Sequence, residues 1–176
     1  NLNQVEVMNY SNYKQFRPKF KKVVRLTDNT SFGLKIFSTL LLPKEKEIEI
    51  VAIEILFDSK VKKKNYCNEY YYFKPIILKS IEDKESLITD KWFEVDKNYQ
   101  GKYIFPVYLK LKPYEAKDYF IGLETSYENH FCPEANGYFD LIETRQSVEY
   151  YNEINSVMIK QDILKNHALN YKIYYK

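Results

Sequence analysis

Apolar side chains recur at every second position through most of this chain, and runs spaced for a helix are scarce. An extended strand sends successive side chains to opposite faces, so this pattern commits the backbone to sheets with one buried face. Phe32, Leu34, Ile36, Leu40 and Leu42 share one phase, with Ser38 the exception. Residues 47–57 are the most aliphatic stretch, and their inward set reads Ile48, Ile50, then Val51, Ile53, Ile55 and Phe57. The slip of phase between Ile50 and Val51 predicts a bulge, or a strand buried on both faces. Residues 23–26, 70–78, 92–95, 103–111, 119–125 and 138–143 have the same strand character. Pro75 and Pro106 interrupt two of these strands and predict edge positions, because proline has no N–H to give to a ladder.

Helical spacing emerges only late. Ile159, Ile163, Leu164 and Ala168 predict a short amphipathic helix over residues 156–169, after which Tyr171, Ile173 and Tyr175 alternate as a last strand. The expected fold is all-β, an antiparallel β-sandwich of about seven strands. Residues 1–20 are expected to form a basic aromatic arm and 21–147 the sandwich. Residues 148–176 are expected to be a helix-plus-strand extension packing on the sandwich. A chain of 176 residues suits one such domain with appendages.

Composition narrows the function classes. Only 4 glycines are present, which argues against dinucleotide fingerprints and phosphate loops, since both need several. There are 18 tyrosines and 11 phenylalanines beside a single tryptophan, Trp92. Tyrosine must therefore supply part of the core, as an apolar ring whose hydroxyl needs a partner or water. Trp92, at the start of a short strand, is expected to be structural. No apolar run reaches the roughly 18 residues of a membrane span. The chain begins at Asn1 and shows no signal-peptide pattern, so the sequence leaves its compartment open.

One stretch resembles a known family. Leu111-Lys112-Pro113, followed by Tyr119-Phe120-Ile121-Gly122-Leu123, resembles the tyrosine corner of fibronectin type III and related immunoglobulin-like sandwiches. The resemblance implies that Tyr119 bonds back to the chain near the corner, with Tyr114 the other candidate. It also implies strands A to G beginning near Val23, Phe32, Glu47, Tyr70, Tyr103, Tyr119 and Tyr138. In this superfamily the fold says little about function, though it implies an interaction module more often than an enzyme.

The charge distribution points to the arm. Net charge is +3, yet from Val7 to Leu26 there is no acid, and Lys14, Arg17, Lys19, Lys21, Lys22 and Arg25 give +6, leaving −3 elsewhere (3 − 6). Tyr10, Tyr13, Phe16 and Phe20 interleave with these cations, the combination by which rings stack on bases while cations neutralise phosphates. Lys62 and Lys63, within a lysine-rich loop, and Tyr70 and Tyr72, in a run of three tyrosines, are further candidate contacts. Alternation predicts Tyr70 and Tyr72 on one face and Tyr71 and Phe73 on the other.

Glu128, His130, Cys132 and Glu134 lie at alternate positions, but the His-x-Cys spacing matches no standard structural zinc site. His167 reads as a structural histidine. Cys67 and Cys132 fall in loops expected at opposite ends of the sandwich, which argues against a disulfide. No catalytic, cofactor or metal set is expected. The leading expectation is a non-enzymatic module that binds another protein. The alternative is a binder of nucleic acid, membrane or polysaccharide through the arm.

Overall fold

The computed structural model describes residues 9–20, 22–25, 34–45, 47–57, 70–83, 85–88, 90–96, 101–113, 119–126, 140–154 and 157–176. After a single 3-10 turn at Tyr10–Asn12 the described chain forms eleven strands. They are β1 (Lys14–Phe16), β2 (Val23–Arg25), β3 (Leu34–Leu40), β4 (Ile48–Phe57), β5 (Tyr70–Leu78) and β6 (Phe93–Asp96). They continue as β7 (Gly101–Leu111), β8 (Tyr119–Thr125), β9 (Asp140–Ile154), β10 (Val157–Leu169) and β11 (Tyr171–Tyr175). One sheet has four strands in the order β1-β11-β4-β7. The other has seven, in the order β10-β9-β3-β8-β5-β6, with β2 also paired to β9. Every pairing is antiparallel. Among the described residues no helix is long and apolar enough to cross a membrane.

The core lies between the sheets, where alternation puts it. From β4 it takes Ile48, Ile50, Ile53 and Ile55, and from β7 Phe105, Val107, Leu109 and Leu111. Facing them are Ile36 and Leu40 of β3, Phe73 and Ile77 of β5, and Tyr119, Ile121 and Leu123 of β8. Phe93 of β6 meets Phe105 of β7 across the gap, edge to face, with centroids 5.1 Å apart. Strand β4 carries the bulge its phase predicts. Its register with β7 shifts between Ile50 and Ala52, and its register with β11 skips the same residue, Val51. The extra residue turns both Val51 and Ala52 toward the outer face, where they pack with Tyr174, and returns Ile53 to the core.

Polar groups that break the pattern have partners. Ser38 is buried, and its Oγ accepts from the Leu169 N–H at 3.4 Å. The hydroxyl of buried Tyr171 accepts from the Leu41 N–H at 2.8 Å and donates to the Thr39 carbonyl at 3.4 Å, joining the two sheets. Burial pushes the Tyr171 hydroxyl well above its ordinary pKa, despite the Leu41 N–H favouring the phenolate. Tyr119 is 2% exposed and donates to the Lys112 carbonyl at 3.2 Å. Pro106 lies on the terminal strand β7, and Pro75 lies beyond the point where β6 stops pairing with β5, at Phe73. Among the described residues, both prolines therefore sit where no strand pairs on one side.

The expected C-terminal helix is absent, and its residues form β10. This strand pairs with β9 from Val157↔Ile154 to Leu169↔Leu141, with register shifts between Lys160 and Asp162 and between Lys165 and His167. The first shift leaves Gln161 unpaired on β10 and the second sets Asn166 against three residues of β9, so alternation is broken twice. Ile163 is exposed while its neighbour Leu164 packs on the core, so the helix-like spacing of these apolar residues does not mark a common face. At the second shift Asn166 takes a φ of 63°, a left-handed conformation that asparagine tolerates better than most residues. Strands β1, from the first twenty residues, and β11, from the last, both belong to the four-stranded sheet.

Strand partition also departs from the immunoglobulin arrangement, in which C shares a sheet with F and G. Here β4, expected as C, pairs with β7, expected as E, while β8 and β9 flank β3 in the other sheet. The cysteines Cys67 and Cys132, with Glu128, His130 and Glu134, lie outside the described residues.

Candidate interaction surface

The outer face of the four-stranded sheet collects aromatic rings from three parts of the chain. Strand β11 turns Tyr171, Ile173 and Tyr175 inward, so Lys172 and Tyr174 point out. The 3-10 turn, capped by Asn9, whose Oδ1 accepts from the Ser11 N–H at 3.0 Å, lays Tyr10 and Tyr13 over that face. The Tyr10 ring lies 5.1 Å from that of Tyr174 and 6.1 Å from that of Tyr13. From β7 come Ile104, half-buried against this cluster, and Tyr108, which is 66% exposed. Burial, and after it the neighbouring Tyr108 and Tyr13 hydroxyls, push the Tyr10 hydroxyl above its ordinary pKa. These four hydroxyphenyl rings form one surface.

Charges below and beside the rings are matched. Glu54, only 7% exposed, accepts hydrogen bonds from the Tyr174 hydroxyl and from the Lys172 ammonium. Burial and then the Glu54 carboxylate push Tyr174 well above its ordinary pKa. Lys172 also sits 5.3 Å from the Tyr174 ring centroid, and Lys176 sits 5.8 Å from that of Tyr13 while pairing with Glu49 at 3.6 Å. Lys14 pairs with Glu45 at 3.2 Å, and Glu45 also accepts from the Tyr175 hydroxyl at 3.4 Å.

Residues expected to bind divide accordingly. Tyr10 and Tyr13 lie on this face, whereas Lys14, opposite inward-turned Tyr175 in the β1–β11 ladder, is on the inner side with Phe16, 5.7 Å from the Tyr175 ring centroid. Arg17 turns instead to the buried β10–β11 corner, donating to Asn170 Oδ1 at 2.5 Å and stacking 4.5 Å from the Phe20 ring. Lys19 is exposed, and Lys22 pairs with Glu143 at 3.2 Å. Lys62 and Lys63 lie outside the described residues. Tyr70 opens β5, and half-buried Tyr72 donates to Glu94 at 3.2 Å, both in the other sheet.

Trp92 is 40% exposed, with the Lys74 ammonium 4.9 Å from its ring centroid. That ammonium lies 2.7 Å from Asp90 and 2.9 Å from Glu124. Burial alone would lower its pKa, but the two carboxylates outweigh burial and raise it. His167 is half-buried on β10, with Nδ1 2.8 Å from the Lys165 carbonyl oxygen.

Tyr108 and Tyr174 are the surface residues that sequence reasoning passed over. A signal for both was present, because each falls out of phase with the inward residues of its own strand. The chain matches no protein-family profile, no curated protein and no solved structure.

Proposed function

We propose that this chain is a non-enzymatic β-sandwich module that binds another protein through the outer face of its four-stranded sheet. The observation that carries the proposal is Tyr108, a large aromatic 66% exposed on a regular strand beside two half-buried tyrosines. Tyrosine is favoured at binding hot spots, and rings already packed against one another lose little freedom when a partner arrives. The contact between Tyr119 and Lys112 supports an immunoglobulin-like relation, and the sheet pairing lends that relation none. Binding of an anionic polymer by the arm has weaker support, because Lys14 and Lys22 pair with the chain's own carboxylates and Arg17 bonds Asn170.

The test places a photo-activated benzoylphenylalanine at position 108, and at exposed Ile163 on the other sheet as control, in extract of the producing cells. Discrete protein adducts from position 108, absent from position 163, are expected. Equal labelling from both positions, or adducts only with nucleic acid, would overturn the reading.

A further inference from the structure

We infer that Trp92, on the outer face of the seven-stranded sheet, is the stacking platform of a second binding site, which takes a neutral polysaccharide by the flat face of a hexose ring. This site goes beyond the protein-binding reading above and does not depend on it.

Strand alternation assembles the site. Phe73 of β5, Phe93 of β6 and Leu123 of β8 pack on the core, so their neighbours Tyr72, Lys74, Glu94 and Glu124 point outward. Tyr72 stands opposite Glu94, and Lys74 stands opposite Glu124. Trp92 precedes β6 by one residue and continues its outward row, so its ring meets Lys74 rather than the core. Ion pairs run across the sheet from Lys35 through Glu124 and Lys74 to Asp90, at 3.9, 2.9 and 2.7 Å. They fix the Lys74 ammonium over the indole, 4.9 Å from its centroid, and the tryptophan still keeps 40% of its surface in solvent. A ring held in this way loses little freedom when a ligand arrives.

The groups around the ring select the ligand. Lys35 and Lys74 are largely covered, whereas Asp90 and Glu94 are exposed beside the indole. Each of these two carboxylates is engaged through one oxygen, Asp90 Oδ1 by Lys74 and Glu94 Oε2 by the Tyr72 hydroxyl. Among the described residues the other oxygen of each receives no donor, although a carboxylate has about four lone-pair sites. A fitting ligand therefore brings an apolar face for the ring and hydrogen-bond donors at its rim. A hexopyranose has that make-up, with C–H bonds on its flat face and hydroxyls around its edge.

Charge rules out the main competitors. Three carboxylates, Asp90, Glu94 and Glu124, stand against the two ammonium groups of Lys35 and Lys74, and Lys91 turns away to the Phe93 ring, 5.2 Å from its centroid. An anion is repelled by that excess. A cationic ligand would seek the face of the indole, where the Lys74 ammonium already lies.

Trp92 is the only tryptophan, so emission excited beyond the tyrosine band reports on this site alone. The full chain is titrated with cellohexaose, mannohexaose and maltohexaose, and with hexagalacturonate and an arginine–glycine peptide as comparators. At least one neutral hexaose is expected to shift the emission to the blue and to shield it from acrylamide quenching, with little response to added salt. By calorimetry, Trp92→Ala should abolish its binding. Asp90→Asn and Glu94→Gln should each weaken it about tenfold, as loss of a hydrogen bond to a charged group does, with the β-sheet circular dichroism retained.

The inference is overturned if none of the three neutral hexaoses perturbs Trp92, if the galacturonate or the cationic peptide shields it as well, or if both carboxamide variants bind unchanged. All of these outcomes are read on the seven-stranded sheet, so they leave the result of cross-linking from position 108 standing either way.

Discussion

Tyrosine serves two purposes in this chain, and the surroundings of each hydroxyl decide which. Tyr171 and Tyr119 are almost fully buried, and both satisfy their hydroxyls on backbone groups at strand ends. A buried ring with a paired hydroxyl stabilises as phenylalanine would and also relieves a backbone group that has no ladder partner. Tyr171→Phe removes the acceptor for the Leu41 N–H and the donor to the Thr39 carbonyl, and with Leu41 itself exposed it should cost about 0.5–1.5 kcal/mol, the net worth of a hydrogen bond. Urea unfolding of the variant would read this as a lower midpoint at unchanged slope. Tyr119→Phe takes away only one donor from the Lys112 carbonyl, so a loss equal to that of Tyr171→Phe would contradict the assignment. Tyr10, Tyr13 and Tyr108, by contrast, keep part of their surface in solvent. The compositional excess was plain from the sequence, but its division was not, because a hydroxyl's partner depends on which strand ends meet across the sandwich.

At the level of elements, close approach between strands sets the sharpest local constraint. Gly122 on β8 lies opposite Phe37 on β3, and the Phe37 ring rests on it. A Cβ built at Gly122 would stand 2.4 Å from the Phe37 ring and 2.6 Å from the Ile36 carbonyl oxygen. The ring could swing aside, but the carbonyl belongs to the ladder. Gly122→Ala should therefore destabilise by roughly 1–3 kcal/mol, the usual cost of overpacking, seen as a lower melting temperature. Pairing it with Phe37→Leu should recover part of the loss if the ring is the main obstacle. Such a contact was invisible in the sequence, where Gly122 was only one letter of a corner motif. What alternation did reveal was local. It placed β5 and β8 at their observed bounds and marked the bulge beside Ile50. It failed on β10, where two register shifts break the alternation and an exposed Ile163 beside core-facing Leu164 completes a helix-like spacing. It failed again at pairing, because period two says which side of a strand is wet and nothing about which strand lies next to it. The candidate surface suffered from both limits, since its rings come from the first turn, the seventh strand and the last strand.

At the scale of the whole molecule, the arm is a structural member that closes one margin of the four-stranded sheet. Strand β1 pairs residue by residue with β11, matching Lys14 to Tyr175, Gln15 to Tyr174 and Phe16 to Ile173. Phe16 packs against the main core, while Tyr10 and Tyr13 lie on the outer face, so the segment clasps the sheet from both sides. Arg17 then ties it to Asn170, the corner where the chain passes from β10 in one sheet to β11 in the other. Partial burial of Phe16 contributes about 1 kcal/mol by area. The hydrogen bond from Arg17, charge-assisted, adds about 1.5–3 kcal/mol. Exposed Lys14–Glu45 adds little, as surface ion pairs do. Deleting residues 1–17 should therefore lower stability by about 2.5–4 kcal/mol, the sum of the first two contributions, and raise the hydrogen exchange of the β11 amides that β1 covers. An arm serving only to hold a polyanion would behave otherwise: its removal would leave the melting temperature and the β11 amides unchanged and would abolish retention on immobilised heparin. Because two of its six cations already face carboxylates of the same chain, fewer counterions are released on binding than the charge count alone implies. Retention of the intact chain on heparin should accordingly be weak and should change less on truncation than the unfolding midpoint does.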